Sequence, residues 1–567
     1  MKNKMFLVFL VVTLIMSLTA FGACKAEEEA PPVPTPIPTP TPKPALTPPP
    51  TPTPTPTQPP PIEQPKYGGI LNFWVGFPPG GFDLHRIPAY GPFACLPIFN
   101  NLVSFDPKKE TIMPEDLIGD LAEKWEISSD GKSITFFLNK GVKWHDGASF
   151  TAADVAYSIE KMTDPDRSRI QGRFPAYRNT EMVDDHTVII HLKYPSASLI
   201  TQFAGPYAVI QAKHTASIDS KSTDFLMGTG PFRFKRYQPP VSFEVEKNPD
   251  YFKKGLPYLD GVRMTYITDY SARENTLITK RVDMTAPSIA FTGDSLNRIR
   301  EALPDAVWKI VHYPYSTYWM FNQNYEPLSD PRVRRAIALV DDPVEQRQLT
   351  GSGPEWGELM TFGIFPKPWG LPVEDIRKLM SWDKPFEERV AEAQALMKEA
   401  GYASGFKIKI LGRNVPVVED TIIRLCDLYR RYLNIEAEPV LRSGAEFNRS
   451  IFNRDYHVVA QQILALVGDP DEFSEVLMTG GSMNITGYSN SKVDQLFQEQ
   501  SWTIDLDKRT ILTQELERTI MKDMPGVPSG NAYASAVVWH PYVKGFVPAP
   551  SGYCQAHERY EYVWLDK

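Results

Sequence analysis

The chain has 567 residues, of which 42% are hydrophobic, 12% aromatic and 23% charged, and its formal net charge is −8. A single hydrophobic core rarely grows beyond about 250–300 residues, so this length predicts a globular protein with two or three lobes. This acidic net charge gives no electrostatic footprint for binding polyphosphate, so nucleic acid is not an expected partner. The four cysteines have no CxxC spacing and are too few for a disulfide scaffold.

The N-terminus has the layout of a secretory signal peptide. Lys2 and Lys4 precede an apolar run, Met5 to Ala20, which leads to the small residues Gly22-Ala23 before Cys24. This run is shorter than the roughly 20 residues of a membrane-spanning helix, and no other long apolar run follows it. We therefore expect residues 1–23 to be removed and the mature chain to have no integral membrane segment.

The pair Gly22-Ala23 before Cys24 resembles the bacterial lipobox, which implies that Cys24 is the lipid attachment site. Phe21 departs from the aliphatic residue usual at its position, and an ordinary secretory signal with an incidental cysteine is the alternative. From Pro31 to Pro65 about half the residues are proline, so the backbone is expected to adopt an extended polyproline conformation. At about 3.1 Å per residue, residues 24–66 would form a stalk that reaches on the order of 100 Å.

The first half of the folded body, which begins near Lys66, is rich in strands. The expected elements are a buried strand over 70–75, a hairpin over 125–138 that turns at Asp130-Gly131, a helix capped by Thr151, and a hairpin over 232–248. Apolar residues at Val155, Ile159 and Met162 give that helix one buried face.

Helices dominate after about Tyr313. They are expected over 330–340, 386–400 and 417–433, and the last lies between strands near 406–411 and 437–441. This strand-helix-strand unit predicts a second α/β lobe. Cys426 falls on the apolar face of its helix and is interpreted as a small buried hydrophobic residue.

Four blocks carry a family resemblance: LAEKWEISSDGKSITFFLNKGVKWHDGASFTAADVAYSIEKM (121–162), GTGPFRFKRY (228–237), KNPDYFKKGLPYLDGV (247–262) and SDPRVRRAIAL (329–339). In order and spacing they resemble the large family 5 solute-binding proteins that serve ABC importers of peptides, nickel and oligosaccharides. The likeness runs from about Tyr67 to the C-terminus.

This resemblance implies an α/β, two-lobed, hinged fold of the periplasmic-binding-protein type II-like class, with an extra small subdomain on lobe one. We expect lobe one over 67–312 with the small subdomain at about 105–225, lobe two over 313–524, and a return to lobe one over 525–567. The chain would cross between lobes near Tyr313 and Pro525.

The implied function is binding, not catalysis: the protein would capture a small organic solute by hinge closure and deliver it to the permease subunits of an ABC importer. It would lie outside the cytoplasm, attached to the outer face of the cell membrane by its lipid, as a monomer without cofactor. The solute is left open between a peptide-like compound, an oligosaccharide and related molecules. Pairing of Cys95 with Cys554 is also left open.

Ligand contacts are expected from both lobes. The loop Phe77 to Phe93 resembles a family segment that touches ligand, while Arg413 follows a strand of lobe two and could serve an anionic group. The candidates are Asp83, Tyr90 and Phe93 in lobe one, and Tyr315, Trp319 and Arg413 in lobe two. For the aromatic residues, ordinary core or hinge packing is the alternative.

The segment Gln461 to Phe473 resembles the strand and loop that carry a Trp and, three residues later, an Asp that binds a peptide's N-terminal ammonium. Ile463 and Leu466 occupy these two positions here. An ammonium buried without a carboxylate costs on the order of several kcal/mol, so peptides with a free amine are expected to bind poorly unless another acid substitutes. Asp469 and Asp471 are candidates for that role, or they are loop and cap residues.

A secreted hydrolase and a nickel-chelate binding or sensing protein are the alternative functions. The sequence has no HExxH, GxSxG, paired-cysteine zinc spacing or P-loop. His186 and His191 have odd spacing on a predicted strand and would face opposite sides. No His/Cys cluster indicates a metal site.

Overall fold

The computed structural model describes residues 64–86, 91–286, 293–341, 364–414, 416–549 and 556–567. Within them only the backbone is described at 91–92, 293, 312–317, 416–417, 445, 462–464 and 528–535. The predicted signal peptide, most of the stalk, Cys24, Tyr90 and Cys554 lie outside the described residues. No helix within these ranges is both long and apolar enough to cross a membrane.

The strands, in chain order, form five sheets among the described residues. They are β1 Ile70–Val75, β2 Val103–Phe105, β3 Leu117–Gly119, β4 Ala122–Ile127, β5 Ser133–Leu138, β6 Tyr177–Asp184, β7 Thr187–Leu192, β8 Phe232–Gln238, β9 Ser242–Lys247, β10 Gly261–Tyr266, β11 Val307–Phe321, β12 Lys407–Arg413, β13 Glu436–Arg442, β14 Val458–Leu464, β15 Gly526–Trp539, β16 Val543–Lys544 and β17 Trp564–Leu565.

The α-helices lie mainly after β10. They are α1 Gly91–Cys95, α2 Ala152–Thr163, α3 Leu199–Phe203, α4 Tyr270–Ile278, α5 Gly293–Ala302, α6 Glu326–Ser329, α7 Pro331–Val340, α8 Val373–Met380, α9 Phe386–Glu399, α10 Pro416–Leu433, α11 Gly444–Phe452, α12 Ser474–Leu477, α13 Ser491–Trp502 and α14 Leu506–Asp523.

We define lobe one as the region built on the first hydrophobic core. This core contains residues from Leu71 to Val311 and again from Ala536 to Leu565. It contains the sheet β1-β10-β9-β8 and the sheet β4-β5-β7-β6. The predicted hairpin over 125–138 is confirmed, since β4 pairs antiparallel with β5 and Gly131 turns the chain at φ +67°. The Thr151 cap is also confirmed, because its side chain accepts a hydrogen bond from the Ala153 N–H at 3.3 Å.

Lobe two is built on two further cores, which lie on opposite sides of the sheet β13-β12-β14-β11-β15. Here β12 and β13 run parallel with α10 between them, as predicted. Cys426 packs partly buried against the second core, and burial raises the pKa of its thiol to about 11, so the thiol stays protonated. Cys95 is buried and has no disulfide partner among the residues that the structure describes.

Two long strands connect the lobes. β11 and β15 pair antiparallel from Val307↔Trp539 to Met320↔Gly526, with irregular register between His312 and Tyr318. Their ends near 307–311 and 536–539 lie in the core of lobe one, whereas Trp319 and Val527 lie in a core of lobe two. The sequence-based boundaries at 312/313 and 524/525 fall within or beside these strands.

The last described segment closes lobe one. Arg559 donates to Asp120 at 2.7 Å, and Lys253 lies 3.0 Å from both Asp120 and Glu561. Asp120, Arg559 and Glu561 are at most 2% exposed. A buried network of opposite charges therefore attaches the C-terminal residues to Asp120 and Lys253, which come much earlier in the chain.

Candidate functional site

The turn after β14 is the part of lobe two that reaches into lobe one. Leu466 and Val467 are 4% and 3% exposed and pack in the core of lobe one. The Glu472 carboxylate accepts hydrogen bonds from the backbone N–H groups of both, at 2.9 and 3.0 Å. These contacts hold the turn in one conformation and place an apolar side chain at position 466.

The Asp469 carboxylate makes its contacts within lobe two. It accepts a hydrogen bond from the Asp471 N–H at 3.0 Å and caps the short 3-10 turn Pro470–Phe473. Arg509, which is completely buried, binds both of its carboxylate oxygens at 2.8 and 2.7 Å. The charge of Asp469 is thus balanced by a bidentate partner.

Asp471 and Glu472 contact lobe one. Asp471 accepts from the Ser198 hydroxyl at 2.5 Å and from the Ser501 hydroxyl at 2.9 Å, and the Glu472 carboxylate forms an ion pair with Arg173. Burial raises the pKa of both acids, and the nearby Asp469 carboxylate adds to the shift at Asp471. These contacts bridge the two lobes.

A cavity of about 470 Å³ lies beside this bridge. Its walls come from lobe one, with Gly172, Arg173 and Tyr194, and from lobe two, with Glu475 and Trp502 among others. The rings of Tyr194 and Trp502 lie 5.8 Å apart across the two lobes. This volume is within the range of roughly 300–1,000 Å³ that small-molecule sites occupy.

In lobe one, the predicted site residues lie inside the core. Asp83 is 2% exposed, forms an ion pair with Lys161 at 2.8 Å and accepts from the Gln211 amide at 3.0 Å. Phe93 is 7% exposed and belongs to the core of lobe one. The hydrogen-bonding positions of Asp83 are therefore used within its own lobe.

The predicted residues of lobe two are spread over its sheet. Trp319 is 2% exposed in the second core, and its indole N–H has no acceptor among the described residues. The backbone of Tyr315 pairs with Leu464, while its side chain lies outside the described residues. Arg413 is exposed and stacks its guanidinium 4.4 Å from the centre of the Phe447 ring. Among the candidates whose side chains are described, only Asp469 and Asp471 lie together.

The sequence interpretation missed Arg173, Ser198, Glu472 and Glu475. One local signal was available, because Asp469-Pro-Asp-Glu472 has the spacing of a capping box, which predicts that both end residues serve the turn. Nothing local indicates the other residues, since Ser198 and Asp471 are 273 positions apart. In the parts of the chain that the structure describes, no cluster of His, Cys, Asp and Glu is arranged to hold a metal ion.

Comparisons with known proteins agree with this architecture. The model of "Bacterial extracellular solute-binding proteins, family 5 Middle" matches residues 116–484. The glutathione-binding protein GsiB of Pectobacterium atrosepticum is 26% identical over 429 residues, which cover 72% of this chain and 79% of the relative. Di/tripeptide-binding protein 1 of Pseudomonas aeruginosa is 26% identical over 500 residues, with 82% and 89% covered.

A solved structure shows the same fold. The ABC transporter-associated periplasmic binding protein DppA from Helicobacter pylori, in complex with the peptide STSA, has a TM-score of 0.71 and 22% identity, and the match covers 88% of this chain and 99% of that one. The predicted fold class, a two-lobed α/β body, is confirmed.

Proposed function

Because the chain belongs to family 5 of the bacterial extracellular solute-binding proteins, we propose that it captures a small peptide-like solute between its lobes and delivers it to an ABC importer. The names of the compared proteins support the class of solute and the transport system, since they bind glutathione, di- and tripeptides, and a peptide in an ABC transporter-associated protein.

The observation that supports a particular type of peptide is Leu466 in the turn after β14. An ammonium placed at this position would meet a buried apolar side chain. In the same turn, Asp469 and Glu472 already pair with Arg509 and Arg173, and Asp471 accepts hydrogen bonds from two serine hydroxyls. A buried ammonium without a free carboxylate loses its hydration without a replacement. We therefore propose that the solute is recognised independently of an N-terminal ammonium.

We propose that the lobes close by bending at the two strands that connect them. β11 and β15 are proposed as the hinge, with lobe boundaries near residues 312 and 525, because they join the cores of both lobes. A solute that touches both lobes stabilises the arrangement in which Arg173 meets Glu472 and Ser198 meets Asp471. The proposed ligand contacts outside this region remain Asp83, Tyr90, Phe93, Tyr315, Trp319 and Arg413.

Attachment to the outer face of the cell membrane through an acylated Cys24 belongs to the same proposal. Its support is the signal-peptide layout, the lipobox-like residues before Cys24 and the proline-rich segment after it. Cells fed a labelled fatty acid should incorporate it into the wild-type protein and not into Cys24→Ser. Label of equal intensity in the variant would contradict the anchor.

The solute proposal is tested by measuring the thermal stability and binding of the purified protein with pairs of peptides, each free or acetylated at its N-terminus. A solute at about 100 times its Kd adds about 2.7 kcal/mol to the free energy of unfolding, which gives a readable shift in Tm. We expect acetylation to change the Kd of wild type less than about threefold. In Leu466→Asp, free amines should bind about tenfold tighter than acetylated ones.

Leu466→Asn is the matched control, because it has the size of aspartate without its charge and should show no preference for the free amine. Wild-type binding that is lost when the amine is acetylated would contradict the proposal. Oligosaccharides and nickel chelates belong in the same screen, and stabilisation by one of these alone would overturn the assignment of a peptide-like solute.

A further inference from the structure

The cavity between the lobes combines two kinds of wall. Tyr194, Phe497 and Trp502 supply aromatic surface, and Met478 adds a flexible apolar side chain. Three carboxylates, of Asp471, Glu472 and Glu475, and one guanidinium, of Arg173, also line it. Such a space suits a group that is apolar along its length and charged at one end.

The charges of the cavity do not cancel. Arg173 is the cation of the lining and pairs with Glu472, which also accepts from backbone N–H groups of its own turn. Asp471 already accepts from Ser198 and Ser501. Among the described residues, no donor binds the Glu475 carboxylate. Its negative charge is therefore available to an occupant.

Gly172 shows that the opposite lobe leaves room for this carboxylate. Glu475 lies in α12 of lobe two, and its Oε1 approaches the backbone of Gly172 in lobe one so closely that a Cβ at position 172 would overlap it. Gly172 has no positive φ that would by itself require glycine. The missing side chain thus allows the carboxylate to sit at the contact between the lobes, on the cavity wall.

We propose that this cavity binds a cationic side chain of the solute, an ammonium or guanidinium on an apolar stem, with Glu475 as its counter-charge. Aromatic rings attract a nearby cation and cover an apolar stem, and a carboxylate adds a charge-assisted hydrogen bond. A backbone ammonium lacks such a stem. The inference rests on the proposed function and adds the class of side chain that the solute carries.

The test compares two blocked tripeptides by calorimetry with the full-length protein: acetyl-Ala-Lys-Ala-amide and acetyl-Ala-norleucine-Ala-amide. Both lack a terminal ammonium and differ in the side-chain charge alone. We expect the lysine peptide to bind wild type about tenfold tighter. Glu475→Gln should remove this preference without changing the Kd of the norleucine peptide, and Glu475→Asp, which keeps the charge, should retain part of it.

Glu499→Gln is the matched control, because Glu499 lies on α13, whose Gln498 and Ser501 line the cavity, but does not line it itself. This variant should keep the wild-type preference. Equal binding of the two peptides by wild type, or a preference that survives Glu475→Gln, would overturn the inference and leave the proposed function intact.

A different outcome tests the proposed function itself. If neither blocked peptide nor any peptide of the screen binds, the proposed peptide-like solute is wrong, whereas equal binding of the two blocked peptides contradicts the cavity assignment alone.

Discussion

Asp469 and Asp471 are two residues apart and serve different purposes. Asp469 completes a buried pair with Arg509 inside lobe two, whereas Asp471 reaches the hydroxyl of Ser198 in lobe one. The difference follows from the short turn between them, which directs one side chain inward and the other across the lobe contact. Only the second of these acids is placed to respond when the lobes separate.

The Asp469–Arg509 pair allows a prediction at the residue scale. Arg509→Met preserves much of the side-chain volume but leaves the Asp469 carboxylate buried without its cation. Such a change costs about 3–5 kcal/mol, which urea unfolding would measure. The double variant Asp469→Asn, Arg509→Met should lose less, because no charge is then left unpaired. A single variant within about 1 kcal/mol of wild type would contradict this role.

At the scale of elements, α14 holds the segment that precedes α8. Glu517 on α14 is completely buried and accepts hydrogen bonds from the backbone N–H groups of Ile364, Phe365 at 3.1 Å and Leu371 at 2.5 Å. Burial raises the pKa of Glu517 to about 7. One carboxyl group therefore connects a helix and a loop and titrates near neutral pH.

This titration predicts a pH dependence of stability. The pKa of Glu517 is higher in the folded protein than in the unfolded chain, so its contribution is full below about pH 4.5 and is lost as pH rises through about 7. The loss is about 3 kcal/mol at most. Unfolding free energies measured from pH 5 to 8 should fall more steeply for wild type than for Glu517→Gln, which does not ionise. Equal slopes would contradict this assignment.

At this scale, the secondary-structure elements were easier to predict from the sequence than the contacts of the site. The hairpin β4-β5 and the capped helix α2 were predicted because turn glycines, caps and apolar periodicity act within a few residues. Asp83 lies in a loop that resembles a ligand-binding segment. Its carboxylate nevertheless pairs with Lys161, which is 78 positions away. Such long-range pairing leaves no local pattern, which is why the elements were predictable and the contacts of the site were not.

On the scale of the whole molecule, the Arg173–Glu472 pair links the lobes directly. Glu472 has a side chain only 2% exposed and depends on Arg173 for its counter-charge when the lobes are in contact. When the lobes separate, water can hydrate both groups. In the closed arrangement the pair therefore offsets part of the cost of removing the Glu472 carboxylate from water.

Removing this cation should shift the balance of the two arrangements. In Arg173→Gln we expect a larger radius of gyration in small-angle X-ray scattering without solute, and roughly tenfold weaker solute binding, because closure would bury an unpaired carboxylate. Arg178→Gln is the control, since Arg178 is exposed on β6 of the same lobe. An unchanged radius and affinity in Arg173→Gln would exclude a role in closure.

The attachment of the C-terminal segment also determines when lobe one can be completed. Asp120 pairs with Arg559, 439 positions later, so the charge network of lobe one needs residues that are synthesised after all of lobe two. Contacts of such long sequence separation form slowly, because a long loop must close first. A chain emerging on the far side of a membrane would hold lobe one incomplete while lobe two, whose residues are contiguous, could already assemble. In such a chain lobe two could be folded before lobe one has the charges that complete its core.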